Sequence, residues 1–201
     1  MSALYKHVMG KSRVEAFTDG VIAIIVTIMV LELKVPHGTD AAALLAVWPI
    51  FVAYAISFIT VVIFWVNHHQ MFHQAKQIDH VVIWANLVWL FFLSLVPFFT
   101  AYLGESHVTP LAAMLYSGSM MVVAIAYLGV RIALAREFRN DPLYRAAYRV
   151  ALCKHFISIA AYAVTLPLAL VHPYIPVAAV LLVSAAYFLP DVWVGEKEQT
   201  V

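Results

Sequence analysis

The sequence predicts an all-α integral membrane protein with six transmembrane helices per chain and both termini cytoplasmic. Three observations carry this expectation. Of 201 residues, 64% are apolar and 11% are charged, against about 45–50% and about 25% in a soluble domain. The mean hydropathy is +0.90. The chain falls into long stretches without Asp, Glu, Lys or Arg, and a helix crosses a bilayer in about 20 residues. The basic residues then collect on alternate connections between those stretches. So apolar a chain cannot keep a globular surface wet, which argues against a soluble enzyme and against disorder.

The elements follow in order. The first uncharged stretch, Gly20 to Leu31, is twelve residues long and lies between Asp19 and Glu32. The second runs from Ala41 to Ala75, with His68, His69 and His73 in its last third. The third is Val81 to Gly104 and the fourth Ser106 to Val130. The last, His155 to Pro190, is too long for one span and contains His172-Pro173-Tyr174-Ile175-Pro176. Two prolines with a His read as a turn between helices. Six helices are therefore expected, at 14–34, 43–70, 80–103, 109–133, 149–171 and 175–193. A β-barrel is disfavoured, because the runs are continuous and outlast strands of about 10 residues.

Charge sets the orientation. With both ends on one side, that side holds Lys6, Lys11, Arg13, Lys76, Arg131, Arg136, Arg139, Arg145, Arg149, Lys154 and Lys197, and the other holds Lys34 alone. Eleven against one places the basic side, and both termini, in the cytoplasm. The longest loop, at 134–148, is then cytoplasmic and basic, suited to anionic lipid headgroups. Residues 1–201 read as one unit, without linker or repeat. Net charge is +1, which gives no reason to expect a nucleic-acid partner. The single Cys153 makes an intramolecular disulfide impossible and reads as an inert thiol. No cleavable signal peptide is expected, since the first apolar run has acidic neighbours and no small-residue cleavage site.

The first helix has the shortest uncharged stretch, with Glu15 and Asp19 near its start and Glu32 near its end. Ionisable residues inside a membrane usually face the bundle interior or water, so this helix is expected at the centre of the assembly. With Asp19 at 0° and 100° per residue, Thr27, Leu31, Ile24 and Ile28 fall at about 80°, 120°, 140° and 180°. They share one stripe at i, i+3, i+4, i+7 spacing, and Asp19 lies outside it. Large aliphatics with one hydroxyl read first as core packing.

The surrounding residues add context. Arg13-Val14-Glu15-Ala16-Phe17-Thr18-Asp19 resembles the R-x-x-x-F-S-D signature of the transmembrane protein 175 family, potassium channels of lysosomes and bacteria. Phe64-Trp65-Val66-Asn67-His68-His69 resembles that family's aromatic-x-x-His-His ending of the second helix. Asn86-Leu87 and Leu95-Val96-Pro97-Phe98 in the third helix are also similar. The motifs cover about the first 105 residues. Thr18 replaces the usual Ser, and either hydroxyl can cap or back-bond a helical turn. Ala23 stands where some members carry a hydroxyl, so the resemblance does not imply a strong potassium preference.

The resemblance implies a potassium-permeable cation channel in the cell membrane, in the bacterial inner membrane, working as a homotetramer. Members of this length carry one six-helix unit, and no second R-x-x-x-F-[ST]-D occurs here. Four copies of the first helix would line the pore. Ile24, Ile28 and Leu31 would form hydrophobic gate rings closed by dewetting, and Thr27 would offer an ion-coordinating hydroxyl. No T-V-G-Y-G sequence is present to build a carbonyl filter. K⁺ is the implied permeant ion, with membrane lipids and monovalent cations as partners and no cofactor. Arg13, Phe17, Thr18, Asp19, Trp65, His68, His69 and Asn86 read as a structural polar network at the cytoplasmic end. There His68 or His69 reaches Asp19, and Phe17 and Trp65 pack beside it. A proton-sensitive gate using one of the His residues is the sharper reading of the same group.

Two other classes compete. A divalent-metal or proton-coupled transporter would use His69 and His73 at i, i+4 with Asp79 and His80. An intramembrane enzyme would need facing acidic or nucleophilic groups at one depth. Asp19 and Glu32 are about 20 Å apart along a helix, and no G-x-S-x-G or H-E-x-x-H occurs, so no enzyme is expected. Trp48, Tyr102, Tyr174, Phe188 and Trp193 suit aromatic belts. Pro97, Pro167 and Pro190 are expected to kink or end helices, and Gly118 and Gly129 to admit close helix approach.

Overall fold

A computed structural model describes residues 10–75, 78–136 and 142–188, with backbone alone over 142–147. Its helices in chain order are α1 (Lys11–Leu31), α2 (Ala41–Ala46), α3 (Trp48–Gln74), α4 (His80–Leu93), α5 (Val96–Glu105), α6 (Pro110–Ala135), α7 (Pro142–Leu168) and α8 (Tyr174–Ala186). The described residues contain no strand, and the expected all-α membrane class holds. Among them five helical segments are long and apolar enough to cross a membrane: α1, α3, α4 together with α5, α6, and α7 from Tyr148. The apolar α8 has 13 residues, about 20 Å of helix.

Several boundaries differ from expectation for local reasons. α1 runs over 11–31 instead of 14–34, stopping at Glu32 before Pro36, whose ring disfavours helix in the residue before it. The expected 43–70 helix divides into α2 and α3. Asp40 caps α2 by accepting from the Ala43 N–H at 2.9 Å, and Pro49 opens α3 in the first turn, where no N–H is needed. The expected 80–103 helix is broken at Ser94-Leu95. Pro97 has no N–H to give the Leu93 carbonyl. The chain answers with a tightened turn, Leu95 N–H to Phe92 O at 3.2 Å, and the Ser94 hydroxyl donates to Phe91 O at 2.7 Å. α7 ends one residue beyond Pro167. Pro190 and Trp193 lie outside the described residues.

α6 is the centre of one chain. Tyr116, Met120, Val123, Tyr127, Val130 and Leu134 along it are all buried, and it packs on α4, α5, α7 and α8. α1 lies at the edge, against α3, α4 and α5. Its ends are tied to neighbours by charge. At one end Lys11 Nζ donates to His73 O at 3.1 Å and Ala75 O at 2.9 Å, setting an ammonium on the last carbonyls of α3, where the helix dipole favours a cation. Just past the other end Lys34 pairs with Glu105 at the end of α5. The hydrogen bond and charge of Glu105 raise the Lys34 pKa above its ordinary value.

These ties put the starts of α1 and α4 and the ends of α3 and α6 on one side. Lys11, Arg13, Arg131, Arg136, Arg149 and Lys154 therefore share that side, and Lys34 takes the other. Lys6, Lys76, Arg139 and Lys197 lie outside the described residues, as does the Arg145 side chain.

The close helix approach is at neither expected glycine. A Cβ on Gly129 meets nothing within 4 Å, and one on Gly118 meets only Leu166 Cδ2 at 3.8 Å. Gly104 is the tight point: its Cβ would stand 2.8 Å from the Ile50 Cα, so α5 meets α3 backbone to backbone. Gly104→Ala is expected to lower stability by about 1–3 kcal/mol, as overpacking does, while Gly129→Ala leaves it unchanged. Thermal unfolding of the purified protein in detergent measures both, and equal midpoints for the two variants contradict the packing described.

Candidate functional site

α1 has two opposed faces. Val14, Thr18, Ile22, Ile25 and Met29 are buried, at the three- and four-residue spacing of one packed stripe. The other side carries Ile24, Ile28 and Leu31, exposed by 59%, 42% and 79% in the single chain. Gly20, Ala23 and Thr27 are exposed with them. The stripe identified from helical spacing is thus not core packing within the chain. The Thr27 hydroxyl donates to the Ile24 carbonyl at 2.8 Å. Its proton is used within the helix, and the oxygen keeps lone pairs for an outside donor or cation.

The packed face of α1 is held by a buried chain of polar side chains. Asn86 Nδ2 on α4 donates to Thr18 Oγ1 at 2.8 Å. Its Oδ1 accepts from His68 Nε2 on α3 at 2.9 Å, which assigns the His68 proton to Nε2. Thr18 and Asn86 are fully buried and His68 is 2% exposed. The His68 ring lies between Phe72 and Trp89, with centroids at 4.1 and 5.0 Å.

A second, separate bond joins α1 to α3 at the surface, where Trp65 Nε1 donates to Asp19 Oδ1 at 2.8 Å. The eight residues expected as one network therefore divide. Thr18, Asn86 and His68 form one chain, and Asp19 and Trp65 another. Neither His reaches Asp19. His68 faces α4, and His69 is exposed, with its ring against Trp65 at 6.1 Å and His73 at 6.2 Å. Arg13 is exposed and has no ion-pair partner among the described residues. Phe17 is 54% exposed and does not pack beside Trp65. Both lie on the outward side of α1, about 120° and 160° from Asp19 at 100° per residue, so they cannot join contacts made on its packed face.

The competing metal site does not assemble. Asp79 Oδ1 accepts from the Val82 N–H at 2.8 Å and caps α4. Among the described residues no group of three His, Cys, Asp or Glu is placed to hold a metal. A further polar feature escaped the sequence reading: Thr100 gives its proton to Val96 O at 2.8 Å, so Ser57 donates to Thr100 at 2.7 Å and Tyr116 donates to Ser57 at 2.9 Å. These interhelical bonds join α5, α3 and α6. Their only signal was isolated hydroxyls in apolar runs.

An all-α bundle with several apolar helices of spanning length, its charges sorted to the helix ends, defines a multi-pass membrane protein of the cell membrane. The family model described as endosomal/lysosomal potassium channel TMEM175 matches residues 13–97. A protein from Chryseobacterium sp. (strain P1-3), named a potassium channel, is 45% identical over 141 residues, covering 70% of this chain and 73% of that protein. A similarly named protein from Streptomyces collinus is 41% identical over 123 residues, covering 57% and 60%. The fold also resembles the crystal structure of a lysosomal potassium-selective channel TMEM175 homolog from Chamaesiphon minutus. The TM-score is 0.75 at 28% identity, over 89% of this chain and 96% of that one. The chain belongs to the TMEM175 family.

Asn86→Ala is expected to leave both Thr18 and His68 buried without this partner, at about 1–3 kcal/mol for each unsatisfied group. Trp65→Phe removes a surface bond and is expected to cost about 0.5–1.5 kcal/mol. Thermal unfolding in detergent ranks the two, and a larger loss for Trp65→Phe contradicts the assignment of the anchor.

Proposed function

We propose that this protein is a potassium-permeable cation channel, a homotetramer of six-span subunits with both termini cytoplasmic, whose pore is lined by α1. The observation that carries the reading is the division of α1 into a packed, hydrogen-bonded face and an outward face bearing Ile24, Thr27, Ile28 and Leu31. One copy of that stripe encloses nothing. Copies related by a rotation axis bring the same residues together as rings, as closed cyclic symmetry requires. The names of the bacterial relatives, potassium channels, support K⁺ as the permeant ion.

In such a tetramer the Ile24, Ile28 and Leu31 rings present no oxygen to an ion. A narrow aliphatic ring expels water, so an ion there loses its hydration without replacement, and the ring acts as a gate. Conduction then requires the rings to widen. Thr27 sits between the Ile24 and Ile28 rings and supplies the neutral oxygens of the stripe, giving it a coordinating role. The buried anchor of Thr18, Asn86 and His68 positions α1 and touches no ion.

Reconstitution in liposomes, with K⁺, Na⁺ and H⁺ flux measured separately, tests the reading. Wild type is expected to pass K⁺. Ile24→Asn is expected to raise leak of both K⁺ and Na⁺ by about tenfold, the effect of ~1.4 kcal/mol off a barrier, and to lower selectivity. Absence of K⁺ flux at every pH overturns the channel reading, and wild-type flux through Ile24→Asn overturns the gate assignment alone.

A further inference from the structure

The outward stripe of α1 does not begin at Ile24. With Asp19 at 0°, Gly20, Phe17 and Arg13 fall at about 100°, 160° and 120°, inside the sector of about 80–180° that holds Ile24, Thr27, Ile28 and Leu31. All three are exposed in the single chain. The stripe therefore runs the length of the helix, and its member nearest the start is an arginine.

Arg13 is the one charged residue of α1 on this side. Lys11, Glu15 and Asp19 fall at about 280°, 320° and 0°, on the flank and back of the stripe, and each is engaged there. Lys11 holds the last carbonyls of α3 and stands 4.0 Å from Glu15. Asp19 takes the Trp65 indole proton. The Arg13 guanidinium has no hydrogen-bond or ion-pair partner among the described residues. Arg131, Arg136, Arg149 and Lys154, the other described cations of this end, lie on or at the ends of α6 and α7, whereas α1 packs on α3, α4 and α5. A guanidinium keeps its charge in proteins. Without a carboxylate it needs water, which lipid does not offer and a wet opening on an axis does.

We propose that Arg13 is a specificity-determining residue of the channel: four copies form a cationic collar at the cytoplasmic mouth that holds back divalent cations more than K⁺. The proposal rests on the channel reading above. In a tetramer with Ile24 on the axis, Arg13 shares that direction and lies about 16 Å nearer the cytoplasm. A cation entering from that side meets the collar before any gate ring. Asp19 does not cancel the collar, standing about 9 Å further in and about 120° round the helix. The energy of an ion in the collar's potential is proportional to its charge. A potential that thins K⁺ about threefold therefore thins Mg²⁺ by the square, about tenfold, the low end of what an opening lined by one sign of charge does. Mg²⁺ gives up its water reluctantly, so any that passes the collar stalls at the aliphatic rings and obstructs K⁺.

Planar-bilayer recording of the reconstituted channel, with Mg²⁺ titrated on the cytoplasmic side, tests this. At low ionic strength Arg13→Gln is expected to be blocked by about tenfold less Mg²⁺ than wild type. Arg13→Lys is expected to match wild type, because the collar needs charge and not the guanidinium fork; a role in bidentate bonding is not rescued by Lys. In about 1 M salt, where the Debye length is about 3 Å, the difference between wild type and Arg13→Gln disappears. Should Arg13→Gln not fold, wild type decides alone. Raising ionic strength with an impermeant salt at fixed K⁺ is expected to lower the Mg²⁺ concentration that blocks, and a concentration that stays or rises overturns the collar. Equal Mg²⁺ sensitivity of wild type and Arg13→Gln, or Mg²⁺ block of Arg13→Lys at the Arg13→Gln level, overturns the proposal and leaves the channel reading standing. Absence of K⁺ current in wild type overturns both.

Discussion

Asn86 carries two bonds at once, and the orientation of α1 depends on both. From α4 its amide donates to Thr18 on α1 and accepts from His68 on α3, with all three side chains buried. Inside a bilayer no bulk water can replace a lost partner, so α1 cannot turn about its own axis without leaving these groups unsatisfied. Fixing Thr18 inward fixes Ile24, Thr27, Ile28 and Leu31 outward. Lys11 on the end of α3, and Lys34 paired with Glu105, then hold the helix along its length. The rotation comes from a neutral amide, and the axial position from charges at the membrane edges, where they are cheaper to keep.

An exposed aliphatic stripe does not by itself mark a pore. In water, leaving a Leu or Ile side chain exposed forgoes about 1.5–3 kcal/mol, but lipid tails are as apolar as the side chains. α4 exposes Val81, Trp84, Val88 and Phe91, with the Trp84 indole N–H as the one polar group among them and no charge, as a lipid-facing helix does. α1 differs in what accompanies its aliphatics. Gly20, Ala23 and Thr27 share its outward side, and Asp19 is exposed at the flank with one indole bond. An ionised carboxylate gains nothing from lipid and loses its hydration there. That chemistry argues for water or neighbouring subunits over this part of α1, and it is the physical reason to set the helix on an axis.

Much of this was legible in the sequence, for reasons that differ by element. Uncharged runs marked the helices because lipid tolerates few charges. The break at Ser94-Leu95 carried no charge, and its one signal was Pro97. The faces of α1 were legible because the helical period is fixed, so spacing alone grouped Ile24 with Thr27, Ile28 and Leu31. The membership of the polar network was only half legible. Thr18, His68 and Asn86 stood in recognisable motifs, but whether Trp65 or His69 meets Asp19 depends on how α3 is rotated against α1. No periodicity within one helix sets that. Ser57 with Thr100, and Gly104 against Ile50, belong to the same kind: contacts between helices, written in single residues that form no pattern.

The most direct test of this account is thiol accessibility along α1. Cys153 is an exposed free thiol, so a Cys153→Ser background is used, with single cysteines at Ile24, Thr27, Ile28 and Leu31 and at Ile22, Ile25 and Met29. Reconstituted channels are treated with a charged, water-soluble thiol reagent while K⁺ flux is followed. The account predicts loss of flux for the first four positions and none for the last three. Equal modification of both faces, or no effect on the outward stripe while wild type conducts, contradicts a pore lined by α1.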